Sequence, residues 1–337
     1  MKVYEVEKGS KGAEGLHRRE RPEPKPGPRE VLIRVRATSL NFRDQMIIKG
    51  GYPGGEVHRD LIPISDGAGE VAAVGAGVTQ FKPGERVAGT FFQTWVDGAP
   101  TGPRAALGAP LDGMLAEYVA LHEDGVVRIP ESLSFAEAAT LPCAGVTAWN
   151  ALMVAGNSVK PGDTVLCLGT GGVSIFALQL ARAAGARVII TSSSDEKIAR
   201  AKSLGAAEGV NYKQFPDWEK EVLRLTAGRG VDHVLEVGGP GTLSRSMQSL
   251  GFGGKLALIG VLAGFVGDTN PFPLAFKGAS LQGIGVGSRR MFEELNKAIE
   301  TNGIKPVVDR VFPFEAAVEA FLYQGSGTLF GKVVITV

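Results

Sequence analysis

The chain predicts an α/β protein: a β-rich first part, then a doubly wound parallel sheet. Three observations carry this. Residues Val31–Ala37 alternate apolar and polar with period two, the pattern of a half-buried strand. From Ser134 onward, short apolar runs alternate with stretches of helical spacing, which implies parallel strands covered on both faces. Glycine makes up 47 of 337 residues, and with no collagen period that abundance points to many tight turns.

The elements follow in order. Pro22, Pro24, Pro26 and Pro28 form a stiff extended lead-in to the first clear strand. Gly67–Gly75 reads as another strand, and Phe81–Val87 as a turn and a strand. Phe91–Gly113, rich in Gly, Pro and Ala, reads as a long loop. Ser134-Phe-Ala-Glu137 fits a capping box that opens a helix. Asp163–Gly169 is a short apolar strand, followed by a glycine turn and a helix over Ser174–Gly185. Arg187–Thr191 is the next strand, and Glu196–Leu204 a helix closed by Gly205. Asp232–Val237 and Lys255–Gly260 continue the alternation. The last strand, Gly331–Val337, is expected back in the first domain, since termini often lie close together. A length of 337 residues suits two domains.

Composition excludes several functions. Lys+Arg is 36 and Asp+Glu 35, so the formal charge of +1 argues against nucleic acid or anionic membrane as partner. Two cysteines, Cys143 and Cys167, exclude a disulfide scaffold and an all-cysteine zinc site. The four histidines show no HxxxH or HxH spacing. The first residues lack the apolar core of a secretory signal, and the apolar stretch from Thr164 to Ala181 is broken by glycines, so a cytoplasmic protein is expected.

The strongest motif is Gly169-Thr170-Gly171-Gly172-Val173-Ser174, set between an apolar strand and an amphipathic helix. A dinucleotide fingerprint needs that context. Gly169 permits the tight turn, and Gly171 lets a pyrophosphate approach the backbone at a helix N-terminus. The third glycine position is Ser174. After the second strand, a NAD site usually places an acid on the ribose hydroxyls. Here the strand ends in Thr191-Ser192-Ser193-Ser194, with Lys197 beyond. Hydroxyls and a lysine donate to a 2′-phosphate, so NADP(H) is the expected cofactor. The same serines also suit a helix cap.

With these residues in place, the chain resembles the medium-chain dehydrogenase/reductase superfamily from end to end. The matching pieces are Asn41-Phe-Arg-Asp44, Gly51-Tyr52-Pro53, Pro63–Val71, Val74-Gly75, Lys82–Val87, Asp112-Gly113, Ala116-Glu-Tyr118, Leu141–Ala148 and Gly331-Lys332. The resemblance implies a GroES-like catalytic domain (1–126 and 300–337) and a Rossmann NADP(H)-binding domain (127–299). It implies hydride transfer to or from a nicotinamide, with the active site in the cleft between the domains.

Zinc alcohol dehydrogenases of this superfamily hold catalytic zinc by Cys, His and Cys. Aligned on that pattern, Asn41 takes the first Cys position and Ser65 the His position, with Asp66 as the neighbouring acid. Only Cys143 matches, so no metal is expected. The same positions resemble the zinc-independent quinone oxidoreductase branch, whose Asn-x-x-Asp and Gly-x-Tyr-Pro are met by Asn41, Asp44, Gly51, Tyr52 and Pro53. Without metal, hydrogen-bond donors must polarise the acceptor carbonyl. Asn41, Tyr52 and Ser65 are the expected donors, while Asp44 and Asp66 orient neighbours such as Arg43. The resemblance also assigns cofactor contacts. Thr147 lies on the nicotinamide side, and Lys197 and Tyr212 near the 2′-phosphate. Gly238, Gly260, Val261 and Leu262 end strands at the nicotinamide edge, and Lys332 is a further contact. Arg289 is either a cofactor contact or part of a solvated helix start.

The expected function is NADPH-dependent, zinc-independent reduction of a quinone, enone or related activated carbonyl. The alternatives are an alcohol dehydrogenase and a non-catalytic NADPH-binding protein. A homodimer is expected from relatives that pair edge strands, here Gly254–Gly260 with Leu281–Gly287.

Overall fold

The computed structural model describes residues 1–50, 57–102, 104–156 and 158–337. They form two compact units: Met1–Val146 with Gly287–Val337, and Thr147–Val286.

Among the described residues, the first unit is a GroES-like fold built on a seven-stranded sheet. Its order is Val308–Pro313, Lys332–Thr336, Glu30–Ser39, Asp66–Val74, Arg86–Gly89 and Val126–Arg128, with Tyr118–His122 also paired to Glu30–Ser39. The period-two pattern at 31–37 thus marks the central strand. Ile33, Val35, Ile47, Ile64, Met114, Leu115 and Phe321 are buried in the core that this sheet covers. The chain's last strand pairs antiparallel with it, Val334 opposite Ser39 and Thr336 opposite Ala37. That register brings the start of the last strand, Lys332, next to Leu40 and Asn41, where Leu40 N–H donates to Val333 O at 3.0 Å.

The helix Arg289–Asn302 belongs to this unit, so the units divide at 146/147 and 286/287 rather than at 126/127 and 299/300. Hydrogen bonds explain the placement. Asn296 Nδ2 donates to Arg128 O at 2.8 Å. The Arg289 and Arg290 N–H groups donate to Trp95 O and Val96 O at 2.9 and 3.0 Å.

The second unit is a Rossmann-type sheet of six parallel strands among the described residues. The spatial order is Glu208–Asn211, Arg187–Ser192, Thr164–Cys167, Val231–Glu236, Leu250–Leu258 and Ser280–Gly283. In chain order this reads 3-2-1-4-5-6, and the direction of winding reverses between Thr164–Cys167 and Val231–Glu236. Ligands of such sheets bind outside the carboxyl ends of the strands at that reversal. All four residues of Thr164–Cys167 are buried, as expected for a parallel strand covered on both faces. Leu166, Ile189, Val210, Trp218, Val222, Val234 and Leu256 form the core. Among the described residues, no helix is long and apolar enough to cross a membrane.

Candidate active site

The glycine turn follows the first strand of the parallel sheet. Gly169 has φ +70°, a left-handed conformation that favours glycine, and its N–H donates to Thr191 Oγ1 at 3.1 Å. The helix Gly172–Ala183 opens at Gly171, with no side chain capping its first N–H groups. A Cβ placed on Gly169 or Gly171 meets no atom within 4 Å. Open space over uncapped N–H donors suits a pyrophosphate. Ser174 explains the departure from a third glycine. Its side chain is buried, and its Oγ donates to Leu168 O at 2.6 Å, tying helix to strand. A small hydroxyl thus does the packing work that glycine does elsewhere.

The second strand ends at Ser192, which is buried, and Ser193 is half-buried. Tyr212 N–H donates to Ser192 O at 3.0 Å, so the exposed Tyr212 stands beside the serines. Ser194 caps the next helix through Lys197 N–H at 3.3 Å. The backbone thus sets Tyr212 beside Ser192 and Ser193, with Lys197 in the first turn of the helix that follows. The acid that follows, Asp195, has its carboxylate engaged by neighbouring amides. Asn211 Nδ2 and Gln214 Nε2 each donate to one of its carboxylate oxygens at 2.7 Å.

At the reversal point, Glu236 is fully buried and orders the next loop. It accepts from Gly238 N–H at 2.7 Å, Gly239 N–H at 2.9 Å and Thr242 Oγ1 at 2.6 Å, and from Ser246. Sequence reasoning missed this residue; an acid closing an apolar strand was the available signal. Gly260 approaches closely, since a Cβ there would lie 2.3 Å from Val237 O. Val261 and Leu262 follow it, half-buried and exposed, and Leu262 N–H donates to Val237 O at 3.2 Å. Thr147 is buried at the start of the second unit. Arg289 lies in the first unit, where Gln80 Oε1 (2.6 Å), Glu293 (3.0 Å) and Asp124 (3.6 Å) surround its guanidinium.

The other candidate residues converge in the first unit. The central strand runs out through Leu40 into Asn41, which opens the helix Phe42–Ile48. Asp44 accepts the Asn41 backbone N–H at 2.7 Å and so holds the helix start. Asn41 Nδ2 donates to Ser65 Oγ over a long 3.5 Å, and Ser65 Oγ donates to Asp66 Oδ1 at 2.7 Å. Asp66 Oδ2 accepts Cys143 N–H at 3.1 Å. Lys332 Nζ, also buried, donates to Asn41 Oδ1 at 2.6 Å and Leu40 O at 2.5 Å, and Asp66 Oδ2 lies 3.9 Å away. Ser65 follows a strained residue: Ile64 has φ +70°, rare for a β-branched side chain and costing about 1–3 kcal/mol. Met114 N–H donates to Ile64 O at 2.8 Å, and Gly108 and Gly113 pack so close that a Cβ would lie 2.9 and 2.3 Å from its backbone. Arg43 is fixed by Leu107 O (2.9 Å) and Ala109 O (3.1 Å), with its guanidinium over the Phe91 ring. Tyr52, with Gly51 and Pro53, lies outside the described residues.

Zinc does not fit this donor set. Asn41 offers an amide whose oxygen already accepts from an ammonium, and Ser65 a hydroxyl that donates to a carboxylate. Burial pushes the Cys143 thiol well above its ordinary range, and the Asp66 charge adds to that. Tight zinc sites need thiolate, imidazole or carboxylate ligands. Among the described residues, no group of three or more His, Cys, Asp or Glu could hold a metal ion.

Both buried acids carry a pH signature. Burial raises the Asp66 carboxyl, against the lowering effect of Lys332. Burial likewise raises Asp44 from 3.8 to about 6, with Arg43 opposing. Between those two values the folded state holds a proton that the unfolded chain has lost. Stability therefore falls as pH rises through that window, by about 3 kcal/mol for Asp44 at 1.36 kcal/mol per unit. Asp44→Asn keeps an acceptor for the Asn41 N–H and removes the titration. Its stability should gain on wild type by roughly 2–3 kcal/mol between pH 4 and pH 7. Paired denaturant melts at the two values read this; a constant difference contradicts it.

The sequence matches two family models: an alcohol dehydrogenase GroES-like domain over residues 27–131 and a zinc-binding dehydrogenase over 172–301. A zinc-type alcohol dehydrogenase-like protein of Schizosaccharomyces pombe is 46% identical, covering 92% of this chain and 91% of its own. The crystal structure of an NAD-dependent alcohol dehydrogenase superposes with TM-score 0.91 at 36% identity, covering all of both chains. A mycobacterial protein solved with NADPH gives TM-score 0.83 at 29% identity, again over both whole chains. Proteins named alcohol dehydrogenase and quinone oxidoreductase both stand among the relatives. The chain belongs to the medium-chain dehydrogenase/reductase superfamily. It is an oxidoreductase of that kind, built to bind a nicotinamide dinucleotide.

Proposed function

We propose that the protein is an NADPH-dependent, metal-free reductase of quinones, enones or related activated carbonyls. The observation that carries this reading is the hydrogen-bonded chain Lys332–Asn41–Ser65–Asp66, in which Asn41 and Ser65 take the zinc-ligand positions that the resemblance implies. Ser65 spends its one proton on Asp66, so it orients rather than donates. The Asn41 amide also hydrogen-bonds the Asp66 carboxylate, and an Nδ2 N–H turned from these partners to the acceptor's carbonyl oxygen is the donor we assign. One such donor, aimed where negative charge develops, is worth about 2.7–4 kcal/mol. Tyr52 is a further candidate donor. Among the described residues, no side chain in this row of contacts suits a strong general acid, and the product proton is drawn from water.

When bound, the dinucleotide supplies the hydride. Gly169, Thr170, Gly171, Gly172 and Val173 hold its pyrophosphate by backbone N–H groups. Ser192, Ser193, Lys197 and Tyr212 hold the 2′-phosphate, while the Asp195 carboxylate is engaged by Asn211 and Gln214. Gly238, Gly260, Val261 and Leu262 flank the nicotinamide. One structural relative is NAD-dependent and another was solved with NADPH, so the selectivity rests on this corner. The test is kcat/KM for NADPH and NADH with a simple benzoquinone. The reading expects NADPH to be preferred by at least about tenfold, the worth of a modest charge-assisted contact. Equal use, or preference for NADH, overturns the phosphate corner. The names of the relatives favour alcohol oxidation as a second reading. Turnover with alcohols alone would support it, and NADPH binding without any turnover would leave a binding protein.

The active form is proposed to be a homodimer. Ser280–Gly283 is an edge strand with all four residues exposed, and Phe252, Phe272 and Phe276 are exposed in the same unit. An open apolar edge invites pairing with a second copy. Sedimentation at micromolar concentration should show the dimer; a monomer alone would rule it out.

A further inference from the structure

We propose that the buried Lys332 ammonium is the positioning cation of the carbonyl site: it fixes which end of the Asn41 amide faces the substrate. This rests on the reductase reading above and assigns a residue its part in it.

The argument is directional. An ammonium has donors and no acceptor, so the amide end that meets it must be Oδ1. Lys332 Nζ lies 2.6 Å from that oxygen. Asn41 Nδ2 is thereby turned toward Ser65 Oγ, whose own proton goes to Asp66. Every bond in the row then runs one way, from ammonium to carboxylate. An amide is nearly isosteric end for end. The Asn41 side chain also faces the Asp44 backbone N–H in the capping box of helix Phe42–Ile48, so the lysine adds a charge to that hold. Without it the amide is freer to present its oxygen to a carbonyl oxygen, which repels rather than polarises.

A plain salt bridge to Asp66 accounts for this less well. The Asp66 oxygen is 3.9 Å from Nζ, beyond hydrogen-bond length, while the two short contacts go to neutral acceptors. The backbone is also shaped to deliver the lysine. Gly331 has φ +86°, and a Cβ there would lie 2.4 Å from Val307 O. Lys332 N–H donates to the same oxygen at 3.0 Å. A buried charge ahead of the buried Val333, Val334 and Ile335 is costly unless it is matched, and here the matching groups are those of the site.

The experiment compares wild type, Asp66→Asn, Lys332→Met/Asp66→Asn and Lys332→Arg. The double variant removes both buried charges, so it can fold where Lys332→Met alone strands Asp66. Benzoquinone reduction is measured at saturating NADPH, with NADPH affinity from fluorescence. Relative to Asp66→Asn, the double variant should lose roughly 10- to 100-fold in kcat, with NADPH affinity unchanged. Lys332→Arg should recover part of the rate. A double variant within twofold of Asp66→Asn in kcat overturns the proposal. If wild type reduces no acceptor, the reductase reading falls, and the amide decides the rest. In asparagine-labelled protein, the Asn41 side-chain amide pair, assigned by its loss in Asn41→Asp, should shift or double in the double variant. An unchanged pair overturns the positioning role.

Discussion

Asn41→Asp lowers kcat for quinone reduction by roughly 10²- to 10³-fold and leaves NADPH affinity within about twofold. That range is the measured cost of losing one oxyanion donor. The substitution is chosen for what it keeps. A carboxylate still accepts from Lys332, and the backbone N–H at position 41 still reaches Asp44, so the start of helix Phe42–Ile48 survives. It removes the two N–H groups of Nδ2 and adds a carboxylate whose charge Lys332 faces. Asn41→Ala would also strand the buried Lys332, mixing a stability loss into the rate. A loss in kcat at constant cofactor affinity marks an interaction made in the transition state. A variant with wild-type kcat would remove Asn41 from the chemistry.

Gly171→Val abolishes useful dinucleotide binding without touching the fold. Gly171 has φ −78°, which any residue adopts, and a Cβ there meets nothing within 4 Å. The fold therefore gives no reason for glycine at this position, whereas a pyrophosphate bound over the turn would. A valine would fill the space over the N–H groups that open helix Gly172–Ala183. The Kd for NADPH should rise by at least about 100-fold, or about 2.7 kcal/mol, with the melting temperature unchanged. Gly169→Val makes a poorer test, because φ +70° adds backbone strain to the loss of space. Unchanged affinity in Gly171→Val would mean that the turn is structural only.

These two residues also show how far the sequence could be read. The strand, glycine turn and helix around Gly171 were legible because each signal is local: an apolar run, a glycine pair, helical spacing. Ser174 broke the motif, and only its bond to Leu168 O shows why the break is harmless. Asn41 was legible as a site residue through resemblance, but its surroundings were not. Its contact with Lys332 joins residues 291 apart, and no local pattern encodes that. It follows from the antiparallel register of the last strand, which was expected only as a return to the first domain. The hydroxyl of Ser65 reads as a donor in sequence, yet its proton is committed to Asp66. The strain at Ile64 was hidden for the same reason, since the glycines packed on its backbone, Gly108 and Gly113, come from a distant loop. The helix Arg289–Asn302 is amphipathic, and a pattern alone does not say which unit receives its apolar face; Asn296 and the Arg289 backbone decide it.

The central claim is that an amide held by a lysine polarises the carbonyl where relatives use zinc. It is tested most directly by turnover of metal-stripped protein. NADPH oxidation by benzoquinone is followed in chelator and again after zinc is restored, with bound metal counted in both. The account predicts the same kcat in both and less than about one-tenth zinc per chain, as expected for a donor set without three good ligands. Activity that vanishes in chelator and returns with one zinc per chain would contradict it.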